Sequence, residues 1–232
     1  MRQISGKELA HERLAASFAQ ALSEYDTARR MEMLVGVFLS GVDLQGARAL
    51  DVGSGLGFFA QALQSRGAKV TACDIGPQLL QQVEAKVGCE CVVADALALV
   101  ERFGREQFDV VVSSECIEHT PSPRKALEQM AGVLKPGGRL AVSTPNLIWS
   151  PVVRLATLAK LRKFDGLENF STFGSIRRTL ESEGLRVIQE RGLHLIPFQA
   201  KLYGMSRWCD DHLQSLRRLM INLCVLAEKP FQ

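Results

Sequence analysis

Residues 51–57 read Asp-Val-Gly-Ser-Gly-Leu-Gly, between an apolar run at 47–50 and a segment of helical spacing that starts at Phe58. Glycines at 53, 55 and 57 free the backbone from the conformations that a side chain imposes. A chain that leaves a buried strand, turns sharply and enters a helix is starting a βα unit, because parallel strands need a crossover between them. The sequence keeps that rhythm. Strand-like runs at 48–52, 69–73, 89–93, 108–113 and 139–144 alternate with helix-like segments at 58–66, 77–86 and 123–134.

The expected architecture is therefore an α/β fold with helices on both faces of a mostly parallel, Rossmann-like sheet. Before it, residues 1–42 read as a helical cap of two helices. Leu9, Leu14, Phe18 and Leu22 form the stripe of the first; Met31, Leu34, Val35 and Phe38 form that of the second. Beyond Thr144 the alternation stops. Residues 145–170 read as a lid insertion, followed by a helix at 172–184 and strands at 185–191 and 220–227. With no helical stripe evident between them, those last strands are expected to pair as a hairpin. The final strand then runs antiparallel in a seven-stranded sheet, and the whole of 1–232 is one domain.

Composition narrows the function classes. Hydrophobic residues make up 47% of the 232 and charged residues 23%, which excludes a disordered chain. A net charge of +3 gives no strong electrostatic pull toward nucleic acid. Cys73, Cys89, Cys91, Cys116, Cys209 and Cys224 lack zinc-ligand spacing and read as reduced core thiols. Without an apolar N-terminal run or a membrane-length segment, the expected location is cytoplasmic.

The glycine turn carries the functional signal. Its spacing is G-x-G-x-G with an acid two residues ahead, not the G-x-G-x-x-G that seats a pyrophosphate on a helix N-terminus. S-adenosylmethionine has no phosphate; it carries a sulfonium, an ammonium and a carboxylate. Asp51 suits the ammonium of such a ligand. Asp74, at the end of the next strand, can take both ribose hydroxyls. Asp95 can accept from the adenine amino group, and the amide of Ala96 can meet a ring nitrogen. Either Asp74 or Asp95 alone would serve equally as a helix cap.

These strand ends, with Asp74-Ile-Gly76, Glu115-Cys-Ile-Glu118-His119, Leu134-Lys-Pro-Gly-Gly138 and Gly192-Leu-His-Leu-Ile-Pro197, resemble the class I S-adenosylmethionine-dependent methyltransferases. The narrower likeness is to the ubiquinone-biosynthesis O-methyltransferases. It implies a cofactor site of Arg30, Asp51, Gly53, Gly55, Gly57, Asp74, Ile75, Asp95, Ala96 and Ser114. Within it, Arg30 grips the methionine carboxylate and Ser114 contributes its backbone. The tryptophan-rich N-terminal segment of those enzymes has no counterpart: the two tryptophans are Trp149 and Trp208.

Glu115, Glu118 and His119 have the spacing of one helical face, i, i+3, i+4. Two carboxylates and an imidazole could hold Mg²⁺ near the acceptor. His119 could instead act alone as general base, or the pair could brace the loop. Asn146 reads either as an acceptor contact or as a turn residue, and His194 as a hydrogen-bonded residue beneath the site. The basic amphipathic stretch 151–164 reads as a lid, an interfacial helix at a membrane surface, or a packed insertion.

The expected activity is O-methylation of a small hydroxylated metabolite: a phenol, a quinol or a natural-product intermediate. Two alternatives compete. RNA 3′-end 2′-O-methyltransferases share a Glu-x-x-Glu-His and a Ser-Thr-Pro-Asn, but use a further histidine, and residues 147–193 contain none. A non-catalytic S-adenosylmethionine-binding module would keep the glycine turn without turnover.

Overall fold

The computed structural model describes residues 23–159 and 167–231. The first helix expected in the cap lies outside them, as do Leu161 and the lysines and arginine at 160, 162 and 163.

The sheet has seven strands: β1 Arg48–Val52, β2 Lys69–Asp74, β3 Glu90–Val93, β4 Phe108–Ser114, β5 Leu134–Pro145, β6 Arg186–Leu193 and β7 Asn222–Glu228. Their order is β3-β2-β1-β4-β5-β7-β6. β1 pairs in parallel with both β2 and β4. β7 is antiparallel to β5 and to β6. The expectation of a seven-stranded, mostly parallel sheet with an antiparallel last strand is met.

Both faces are covered, which is why the central strands read as apolar runs rather than alternating ones. Leu50, Val111, Leu140, Val142 and Val225 face one core, against helices α5 Pro123–Val133 and α7 Phe173–Ser182. Ala49, Val110, Val112, Ala141 and Leu226 face the other. There they meet α1 Glu24–Met31 with its π-helical continuation Glu32–Val37, α2 Phe58–Ser65 and α3 Pro77–Val87. A short α4, Leu99–Phe103, precedes β4. The second stripe expected in the cap is real: Leu34, Val35 and Phe38 are buried. Its helix begins earlier, however, at Glu24, where the Ser23 side chain accepts from the Asp26 amide.

Two expectations about the later chain are corrected. β5 starts at Leu134 rather than at 139, because Leu134 pairs with Phe108 across an irregular register. Gly137, at φ 78°, lets the strand bend there while its N–H bonds the Lys229 carbonyl. The connection between β6 and β7 is not a bare hairpin. It contains α8 Tyr203–His212 and a 3₁₀ stretch Gln214–Leu219. The inward residues of α8 are Ser206, Cys209 and Asp210, while Met205 and Trp208 lie exposed, so no apolar stripe announces it.

Within the lid insertion, a 3₁₀ turn Leu147–Trp149 leads into α6 Ser150–Leu158, which buries none of its residues.

Candidate active site

The order of strands places β1 between β2 and β4, where the chain reverses its direction of travel across the sheet. Ligands of open α/β sheets bind at such a switch point, beyond the carboxyl ends of the strands. The 51–57 turn lies there. Gly53, Gly55 and Gly57 all have left-handed backbones, at φ 72°, 50° and 76°. A Cβ at Gly53 would land on the Cys116 side chain, and one at Gly57 would stand 3.0 Å from Val83. Glycine is demanded twice at both, by conformation and by space.

The acids divide their work. Asp74 is buried at the end of β2; its Oδ2 accepts from the Gly55 amide at 3.1 Å and its Oδ1 from the Gly76 amide at 2.9 Å. It braces the glycine turn from beside, directly next to Ile75. Asp51 is buried in β1, and its Oδ2 accepts from the Ala60 amide at 2.9 Å. It thereby supplies the cap that Gly57, without a side chain, cannot give α2. Burial pushes the Asp51 carboxyl up to about 7, against the pull of that amide. Asp95 lies exposed past β3 with Oδ1 accepting from the Leu97 amide, while Ala96 is buried.

α1 carries a charged group into the same crevice. Arg30, 3% exposed, sets Nε and Nη2 on Asp26 Oδ2 at 3.2 and 2.9 Å. Its Nη1 donates to Ser114 Oγ at 2.6 Å, at the end of β4. Arg29 turns away, to Glu32 and Asp211. Of the two adjacent arginines, Arg30 is therefore the one aimed at the strand ends.

The proposed metal cluster requires correction. Residues 115–119 do not form one helical turn. Glu115 is left-handed at φ 51°, and only Ile117–His119 is 3₁₀. The i, i+3, i+4 face is lost. Glu118 Oε2 accepts from Thr144 Oγ1, Glu115 Oε1 from Ser143 Oγ, and His119 Nδ1 meets the Leu167 carbonyl at 3.0 Å. Among the described residues no three His, Cys, Asp or Glu side chains are arranged to hold a metal. The donor set does not fit Mg²⁺. Burial pushes Glu118 up to about 7; burial and then the Glu118 charge push Glu115 to about 8.

Asn146 proves to be a turn residue. It is buried, donates through Nδ2 to the Arg218 and Met220 carbonyls, and accepts from the Ile148 amide. His194 is buried with Nε2 2.8 Å from Asp26 Oδ1. The role of Asp26 and Asp210 around it was not legible, since residues 26, 194 and 210 meet only in the folded chain.

The seven-stranded sheet has the Rossmann-like fold of methyltransferases. Residues 50–142 match the model of a methyltransferase domain. Over 110 residues the chain is 43% identical to a ubiquinone biosynthesis O-methyltransferase of Xylella fastidiosa, covering 45% of this chain and 44% of that relative. It thus aligns with less than half the length of that relative. A protein of the same name from Coxiella burnetii is 28% identical over 181 residues, 72% of this chain and 74% of the relative. The fold matches magnesium protoporphyrin IX methyltransferase from Synechocystis, solved with bound SAH. The TM-score is 0.61 at 16% identity, over 86% of this chain and 81% of that one.

Proposed function

We propose that this chain transfers a methyl group from S-adenosylmethionine to a hydroxyl oxygen of a small metabolite of the phenol or quinol class. The observation that carries this reading is the left-handed glycine turn at the switch point, flanked by Asp51 and Asp74. The 43% likeness to ubiquinone-biosynthesis O-methyltransferases supports the oxygen acceptor.

When bound, S-adenosylmethionine supplies a methyl group already activated on a sulfonium. The chain's task is to orient its two ends and to move one proton. In this reading Asp74 takes the ribose hydroxyls with Ile75 beside it, Asp95 and the Ala96 amide take the adenine, and Gly53, Gly55 and Gly57 let the backbone approach. Asp51 faces the ammonium, and Arg30 with Ser114 holds the carboxylate end. His119 is the general base. A carbonyl only accepts, so the Nδ1 that meets the Leu167 carbonyl carries a hydrogen, and Nε2 is the nitrogen turned toward Glu118 Oε1, 3.8 Å away.

α6 gives the reading a membrane side. Val152, Leu155 and Leu158 are 55%, 67% and 81% exposed, next to Arg154 and the basic residues of 160–163. Apolar side chains beside cations suit an anionic bilayer surface, where an apolar acceptor would be met. No helix among the described residues is long and apolar enough to cross a membrane.

The test is transfer from methyl-labelled S-adenosylmethionine to catechols, quinols, glycosides and short RNAs. Label on a phenolic oxygen is expected. Label on RNA alone would overturn the acceptor class, and cofactor binding without transfer to any acceptor would favour the non-catalytic module.

A further inference from the structure

Behind Arg30 lies a buried charged cluster that the cofactor contacts do not use. His194 is 0% exposed and has a left-handed backbone, φ 64°, at the end of β6. A residue with a side chain persists in that conformation only where its surroundings over-determine it. Here they do. Nε2 lies 2.8 Å from Asp26 Oδ1, and Nδ1 faces Asp210 Oδ2 at 4.0 Å. The rings of Tyr25 and Phe198 wall the imidazole in, with centroids at 5.8 and 5.2 Å. The remaining charges near it are Arg30 on Asp26, and Arg29, which approaches Asp210 Oδ2 at 3.7 Å.

We propose that His194 is a positioning residue for the methionine end of the cofactor site, acting through Asp26 on Arg30 and held from behind by Asp210. This rests on the cofactor reading above.

The geometry gives each member one task. Asp26 Oδ2 takes the Nε and Nη2 of Arg30 as a fork, which leaves Nη1 aimed at Ser114. Asp26 Oδ1 is then buried with His194 Nε2 as its donor. Without that donor the carboxylate must rotate or take up a proton, and either change loosens the fork. Asp210 fixes the ring from the other side. Its Oδ1 accepts from the Leu195 amide, the residue after His194. Its Oδ2 and His194 Nδ1 are both buried without a hydrogen-bond partner. They face each other at 4.0 Å, so Asp210 holds the ring by charge and through the Leu195 amide rather than by a hydrogen bond to it. The relay ties β6 and α8 to α1, three segments that the chain brings together from residues 26, 194 and 210. The arginine that reaches the cofactor end is thus set, through Asp26, by His194 and Asp210, which do not touch it.

The experiment titrates the full chain and its variants with S-adenosylhomocysteine in a calorimeter, alongside thermal melts. His194→Phe should weaken binding about tenfold, a loss of ~1.4 kcal/mol. His194→Gln, whose amide nitrogen can stand where Nε2 stands, should restore affinity to within about threefold of wild type, and it stays informative if the Phe variant does not fold. In an Arg30→Met background, His194→Phe should change affinity by less than about twofold, because a linked pair is not additive. A purely structural role would lower melting temperature and act equally in both backgrounds. Equal loss in both, or unchanged affinity in His194→Phe, overturns the proposal. If the wild-type chain binds no S-adenosylhomocysteine, the cofactor reading fails, and the link is judged in the free protein. Hydrogen exchange at Arg30 Nε should then quicken in His194→Phe; unchanged exchange overturns the relay itself.

Discussion

Asp74 and Asp51 look equivalent in sequence but carry different burdens. Asp74 meets two backbone amides at a strand end, and in the proposed function it takes the ribose hydroxyls. Its replacement by Ala should weaken S-adenosylmethionine binding by roughly 1.5–3 kcal/mol, the range for hydrogen bonds to a charged group, as read by calorimetry. Asp51 is held inside the sheet with its carboxyl raised to about 7 from an ordinary 3.8. A raised carboxyl binds its proton more tightly in the folded chain. Its stabilising contribution is present below pH ~4 and is lost as pH rises through about 7. Asp51→Asn cannot lose a proton, so its stability relative to wild type should increase between pH 4 and 7 in parallel urea melts. A flat difference would show that Asp51 ionises normally. His119→Ala should lower turnover by roughly 10²–10⁴-fold, the span of general base catalysis. A chelator should change neither enzyme, since Glu115, Glu118 and His119 do not converge as ligands.

The elements divide into those that build the crevice and one that stands away from it. Strands β1, β2 and β4 end at the glycine turn, and their helices are amphipathic in the ordinary sense: Phe59, Ala60 and Leu63 of α2 and Leu80 and Val83 of α3 face the sheet. α6 inverts that rule by exposing its apolar residues. Replacing Val152, Leu155 and Leu158 together by Ser should leave the melting temperature within a few degrees, because little burial is lost. The same variant should lose co-sedimentation with vesicles containing phosphatidylglycerol. Retained co-sedimentation would remove α6 as the membrane contact. α8 inverts the rule differently, turning Ser206, Cys209 and Asp210 inward. Its polar inner face meets His194, the Leu195 amide, the Ile196 carbonyl and Arg29.

For the molecule as a whole, β7 is the closing piece. It bonds to β5 on one side and to β6 on the other, and Leu223, Cys224, Val225, Leu226 and Ala227 reach both cores. Burying each large aliphatic side chain contributes roughly 1.5–3 kcal/mol, while a domain's net stability is about 5–15 kcal/mol. Removing residues from 222 onward should abolish the cooperative thermal transition followed by circular dichroism. A sharp transition in the shortened chain would mean that the five parallel-side strands fold alone.

Local chemistry carried a great deal. Apolar runs and glycine spacing specified β1 through β4, the helices α2, α3 and α5 and the glycine turn, because each is short-range: period, turn and cap lie within a few residues of one another; the short α4 had no such signal. Even the antiparallel last strand was legible from where the alternation stopped. The helix α8, the early start of β5 and the splitting of the 115–119 cluster were not. A polar inward face has no periodic signature. Gly137 signals a break until a partner strand turns it into a bend, and one left-handed residue at Glu115 undoes a helical spacing. The cluster of Asp26, His194 and Asp210 was decided by tertiary structure alone, since burial and charge pairing between residues 168 apart exist only once α1, β6 and α8 have packed.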